Sequence, residues 1–141
     1  MSQTNKEVNK YIKNNVNIHE LKMHMDVNEL NIVDSPKLIS YNFIKKELVM
    51  EKIEGMSVSD MYGEEFNKVP IKIFNKIRQI IKKLYDNDII YNDITGYNFM
   101  LSEDKIYIID FEHALYKSDI SDNKFVLDFI NGLNEWNPEF R

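Results

Sequence analysis

The sequence predicts a single α+β domain, and three observations predict it. Two β-rich runs flank a lysine turn near residue 45, a strongly amphipathic helical run covers residues 71 to 86, and polar loop residues after residue 90 are set between short apolar segments. A chain of 141 residues that is 43% hydrophobic and 29% charged has the make-up of one folded unit, and its length asks for no second core.

The elements follow in order. Residues 7 to 13 alternate loosely and predict a short strand, which the Asn-rich segment after them ends. Ile18, Leu21, Met25 and Leu30 predict a helix that lays one apolar stripe on a core, with Asn17 as its cap. Asp34-Ser35-Pro36 breaks that pattern. Residues 37 to 43 and 47 to 53 then read as two antiparallel strands around Lys45-Lys46, and Val58 to Met61 as a short helix.

Pro70 stands where a helix can start, and Ile73, Phe74, Ile77, Ile80, Ile81, Leu84 and Tyr85 recur at helical steps behind it. Lys72, Lys76, Lys82 and Lys83 form its solvated side. Ile89-Ile90-Tyr91, residues 99 to 101 and residues 105 to 109 read as short strands, and a last helix is expected from about Asn123 to Leu133. Phe125, Phe129 and Trp136 are expected in the core, whereas His19, His24 and His113 read as helix-surface or packing residues.

Composition removes several kinds of function. Without cysteine there is no disulfide, thiolate zinc site or cysteine nucleophile, and the three histidines are too scattered for a metal cluster. A net charge of -5, with sixteen lysines against Arg78 and Arg141, argues against nonspecific nucleic-acid binding. The polar start at Met1 and the lack of a long apolar run predict a cytoplasmic protein that begins where this sequence begins.

The informative stretch is Tyr91-Asn-Asp-Ile-Thr-Gly-Tyr-Asn98, followed twelve residues after Asn98 by Asp110-Phe-Glu112 at the end of an apolar strand. Loops braced by short strands hold polar groups rigidly. Asp93 and Asn98, taken alone, would also serve as turn residues bonding their own backbone, and Asp110 alone as a polar strand end. Phosphoryl transfer needs a carboxylate to orient or deprotonate an attacking hydroxyl and oxygen ligands to hold magnesium on the phosphates.

The Asp-x-x-x-x-Asn spacing from Asp93 to Asn98 resembles a kinase catalytic loop, and Asp110-Phe111-Glu112 resembles the kinase metal-binding triplet with Glu in place of Gly. The triplet resembles that of choline and aminoglycoside kinases. Asp93-Ile94-Thr95 and the compact helix before it look closer to small atypical kinases, the RIO type and the kinase of the KEOPS tRNA-modification complex. Glu20-Leu-Lys-Met-His, with Pro36 sixteen residues after Glu20, resembles the helix whose glutamate pairs with the nucleotide-binding lysine, and residues 50 to 55 resemble the adenine-binding hinge.

The resemblance implies a reduced two-lobed kinase-like fold, with residues 1 to 53 as a truncated sheet lobe and hinge and residues 54 to 141 as a short helical lobe. It implies ATP and magnesium as cofactors, Asp93 as the catalytic carboxylate and Asn98 and Asp110 as metal ligands. Lys10 and Glu20 become the nucleotide ion pair, with Lys13 a rival to Lys10, and Glu51 and Ile53 become hinge contacts. Glu20 in a first helical turn is also favoured by the helix dipole alone. Tyr91 is expected to pack under the loop where such kinases carry histidine.

The first glycine is Gly55, so no Gly-rich phosphate loop is expected ahead of the first strand, and the helical lobe stops soon after its third helix. The implied activity is transfer of the terminal phosphate to a hydroxyl, on a protein Ser or Thr more than on a small molecule. Its rivals are a pseudokinase scaffold, a small-molecule alcohol kinase, and a subunit whose phosphate cover comes from a partner protein.

Overall fold

A computed structural model describes residues 9–140; the polar amino terminus and the start of the expected first strand, residues 7 and 8, lie outside the described residues. Strand β1 (Lys10–Lys13) and strand β2 (Leu38–Asn42) both pair antiparallel with β3 (Glu47–Glu51), giving the order β1-β3-β2. The turn between β2 and β3 closes because Asn42 Oδ1 accepts from the amides of Ile44 and Lys45 while Lys46 takes a left-handed φ of 55°. Register fixes the faces: Tyr11 lies opposite Met50 and Lys13 opposite Leu48. Leu48 and Met50 therefore turn inward and close a small core with Val16 and Leu21.

Helix α1 (Ile18–Leu30) begins at Asn17, whose side chain accepts the Glu20 amide at 2.8 Å, and ends at Asn31 in the left-handed conformation. The stripe expected on it is corrected. Ile18 and Met25 are half exposed, at 55% and 51%, while the buried residues are Glu20, Leu21, Met23, His24 and Val27. The helix turns a mixed face inward because part of what it covers is a polar cleft, so apolar identity is a poor guide to its burial.

The remainder builds on α3 (Ile71–Tyr85), which follows Pro70 and buries Phe74, Ile77, Ile81 and Leu84. These four pack with Tyr91, Phe99, Phe111, Phe129 and Trp136 in the main core, where a fully buried side chain of this size contributes about 1.5–3 kcal/mol. Around it run β4 (Met56–Ser57), α2 (Val58–Tyr62), β5 (Ile89–Ile90), β6 (Phe99–Ser102), β7 (Lys105–Ile108), β8 (Leu115–Tyr116) and α4 (Lys124–Ile130). A β4-β6-β7 sheet and a β5-β8 pair result. Helix α4 stops at Ile130, short of the expected Leu133: Gly132 takes a φ of 76°, and the Leu133 amide folds back onto the Asp128 carbonyl at 2.8 Å.

Two contacts lock the parts together. The Ile108 amide donates to Asp34 at 3.0 Å, joining the segment after α1 to β7. Gly55 lies so close to β6 that a Cβ there would stand 2.0 Å from the Leu101 carbonyl oxygen, which excludes a side chain.

Candidate active site

Lys13, at the end of β1, reaches the Glu20 carboxylate at 2.5 Å and Asp110 Oδ1 at 3.2 Å. Lys10 does not make the pair assigned to it from the sequence. Side chains alternate along β1, so Lys13 shares the inner face with Tyr11 while Lys10, opposite Glu51, is exposed. Burial works to lower the Lys13 ammonium, but the hydrogen bond and charge of Glu20 and the charge of Asp110 outweigh it and hold its pKa up. Burial raises the Glu20 carboxyl, which is 3% exposed, and the Lys13 contact opposes that rise only in part.

Asp110 follows β7 with a φ of 64°, a left-handed conformation that Asp tolerates better than most residues. The buried Tyr91 hydroxyl supports this bend, 2.5 Å from the Ile109 carbonyl oxygen and 2.9 Å from that of Asp110. Phe111 is fully buried between Tyr91, with ring centroids 5.8 Å apart, and His24, at 4.7 Å. Glu112 is exposed, its carboxylate 3.3 Å from His113.

The loop from Asp93 to Asn98 is held from several sides. Asn98 Nδ2 donates to the Asp93 carbonyl at 2.9 Å, the Ser59 amide of α2 to Gly96 at 2.9 Å, and the Asn137 amide to Ile94 at 2.8 Å. The Ile109 amide donates to the Asn98 carbonyl at 3.0 Å, which fixes the loop against Asp110. Burial, aided by the Asp110 charge, pushes the Asp93 carboxyl up to about 6, while His113 and Asn98 pull the other way.

A cleft of about 390 Å³ brings together Lys13, Glu20, Glu51, Ile53, Asn98 and Asp110. Asp93 and Lys10 lie outside its lining. His24 lies inside it, 2% exposed, bonded to the Pro36 carbonyl at 2.8 Å and pushed down to about 4 by burial. Its burial against Phe111 agrees with the packing role read for it from the sequence, and its offset of four from Glu20 puts both on one helix face, toward the cleft.

The donor set suits magnesium on a nucleotide. Asn98, its amide nitrogen bonded to the loop, lines the cleft with an amide, and Asp110 adds a carboxylate on the same cleft. No group of three or more His, Asp or Glu side chains among the described residues could hold an ion. One carboxylate and one amide oxygen, completed by phosphate oxygens and water, match the usual manner of magnesium binding.

This fold and cleft define a member of the protein-kinase-like superfamily, in a reduced form. Among solved structures, the Cydia pomonella granulovirus kinase PK-1 superposes with a TM-score of 0.62 at 16% identity, covering 82% of this chain and 46% of that one, a likeness of fold. The RIO domain profile matches residues 1–129, and the chain belongs to the RIO domain family. It is 30% identical to the EKC/KEOPS complex subunit BUD32 of Enterocytozoon bieneusi, over 79% of this chain and 64% of that protein. A probable bifunctional tRNA threonylcarbamoyladenosine biosynthesis protein of Methanosphaera stadtmanae is 29% identical over 76% of this chain and 20% of its own length. The chain thus spans less than two thirds of either relative. Among the described residues no helix is long and apolar enough to cross a membrane.

Proposed function

We propose that this chain is an ATP- and magnesium-dependent phosphotransferase that passes the terminal phosphate to a hydroxyl, most simply a protein Ser or Thr. The observation that carries the reading is the convergence of Lys13, Glu20, Asp110 and Asn98 on one cleft next to the Asp93 loop.

Lys13, held by Glu20, presents a fixed ammonium to phosphate oxygens, while the backbone around Glu51 and Ile53 borders the adenine end. Magnesium held by Asp110 and Asn98 would neutralise phosphate charge. Asp93, with a pKa of about 6, is mainly ionised at neutral pH, so it can align an acceptor hydroxyl and take its proton as the oxygen attacks. The bonds holding Asp93 beside Asn98 keep acceptor and phosphate in line, where positioning does most of the work.

Among the described residues β1 has no strand on its outer edge. A cover for the phosphates is therefore assigned to a partner protein or another segment docked there. The BUD32 relative, named as a subunit of a complex, supports a protein partner, and a role in tRNA modification fits the second relative's name.

The test is phosphate release and transfer from terminally labelled ATP by wild type, Asp93→Ala and Asp110→Asn. Turnover in wild type that both substitutions reduce by at least 100-fold supports the reading, in line with the loss of one transition-state contact. Magnesium-dependent ATP binding without turnover would make the chain a nucleotide-binding subunit instead.

A further inference from the structure

We infer that Asp26, Tyr116 and Lys22 form a latch that positions α1, and with it the reach of Glu20 to Lys13; this rests on the phosphotransfer reading above. Glu20 is useful only if α1 stands at the right distance and rotation from β1. No backbone ladder fixes either quantity for a helix, so side chains must.

Besides the apolar burial of Met23 and Val27 and the His24–Phe111 ring contact, polar groups of the C-terminal half hold α1 at two places. His19 Nε2 lies 2.7 Å from the Ala114 carbonyl oxygen. Seven residues along the helix, the Asp26 carboxylate accepts a short hydrogen bond from the Tyr116 hydroxyl. Lys22 completes that cluster, donating to Asp26 at 3.3 Å and to Tyr116 at 3.0 Å, with its ammonium 4.6 Å from the centre of the Tyr116 ring.

Residues 19, 22 and 26 fall on one helix face by their three- and four-residue spacing, and Glu20, His24 and Val27 on the adjoining face. Turning α1 enough to leave Tyr116 therefore swings Glu20 from Lys13. The latch also holds the other side of the site. Tyr116 lies in β8, which pairs with β5 through Ile90 opposite Leu115 and Ile89 opposite Tyr116, and β5 runs directly into the loop that carries Asp93. Ala114, the partner of His19, donates its amide to the carbonyl oxygen of Phe111, next to Asp110, at 3.2 Å. A contact joining residues 90 positions apart through a hydroxyl and a carboxylate differs from the Lys82–Asp86 pair, which joins residues only four apart.

The test is a cycle of Tyr116→Phe, Glu20→Gln and both together, read as kcat/KM for ATP, with backbone hydrogen exchange on α1 and α3 in each variant. Tyr116→Phe keeps the ring and removes only the donor. It should lower kcat/KM about tenfold, the worth of one hydrogen bond to a charged group. In the Glu20→Gln background it should cost less than about twofold, because the latch acts through Glu20. Exchange on α1 should rise about tenfold in Tyr116→Phe while α3 is unchanged.

Equal losses in both backgrounds, or unaltered exchange on α1, would overturn the latch. Exchange needs no catalysis, so a wild type that neither turns over nor binds ATP refutes the phosphotransfer reading while the α1 exchange still decides the latch. Asp26→Ala, which leaves the tyrosine in place and removes the acceptor, repeats the test should the Phe variant fold poorly.

Discussion

Lys13 Nζ stands 2.5 Å from the Glu20 carboxylate and 3.2 Å from that of Asp110, so one ammonium joins the end of a strand, a helix and the bend after β7. Lys10, three residues earlier, is exposed on the far face of the same strand. Lys13→Ala is therefore expected to lower ATP turnover by about 100-fold or more, as loss of one preorganised contact to phosphate does, and Lys10→Ala to leave it within about twofold. Steady-state kinetics on both variants decide this, and equal losses would remove Lys13 from its special place.

The raised pKa of Asp93 has a kinetic consequence. A base of pKa about 6 is protonated in mild acid and cannot take a proton from a hydroxyl. Plotted against pH, kcat/KM should fall with unit slope below about 6 and be level above it until another group titrates. A profile flat from pH 5 to pH 8 would show that Asp93 does not act as a base in the free protein.

His24 makes stability depend on pH. Burial holds its imidazole at about 4, against 6.5 for an ordinary histidine. Between those values the unfolded chain takes up a proton that the native protein refuses, so this contribution is complete above about pH 6.5 and lost as pH falls through 4. The difference corresponds to about 3 kcal/mol. Asp93 works oppositely: its raised pKa gives stability below 3.8 that is lost as pH rises through about 6. Comparing His24→Leu with wild type cancels Asp93, and the variant should gain about 3 kcal/mol relative to wild type between pH 7 and pH 4. Denaturant unfolding at both pH values measures it, and a constant difference would show that His24 is not buried neutral.

Gly55→Ala offers a test of packing at the start of β4. The added Cβ meets backbone, the Leu101 carbonyl oxygen at 2.0 Å and its carbon at 2.9 Å, so the neighbour cannot rotate aside. Overpacking of this kind costs about 1–3 kcal/mol. A melting temperature unchanged from wild type would contradict this close approach of Gly55 to β6.

The legible parts of the molecule were those written locally. Pro70 and the recurring apolar residues of α3 announce a helix with one buried side, and Asn17 three residues before Glu20 announces a cap. The positions of Asp93 and Asn98 on one loop and of Asp110 just past a strand were legible because short apolar runs bracket those polar residues. Lys13 needed more, since which lysine of β1 faces the cleft is set by pairing with β3, a partner distant along the chain. That His24 lines the cleft as well as packing on Phe111 is illegible for a different reason: a polar residue facing a polar cleft breaks the apolar stripe by which a buried helix face is recognised. The two-residue strands β4 and β8 are too short for any alternation to show, and they exist through pairing with β6 and β5.

The proposed magnesium–nucleotide site of Asp110 and Asn98, beside Lys13, is to be probed by calorimetric titration of the folded protein with ATP, with and without magnesium, repeated on Asp110→Asn. Binding that requires magnesium and disappears in Asp110→Asn is the predicted result. Binding of equal strength without magnesium or in the variant, or no binding by folded wild type, would contradict it.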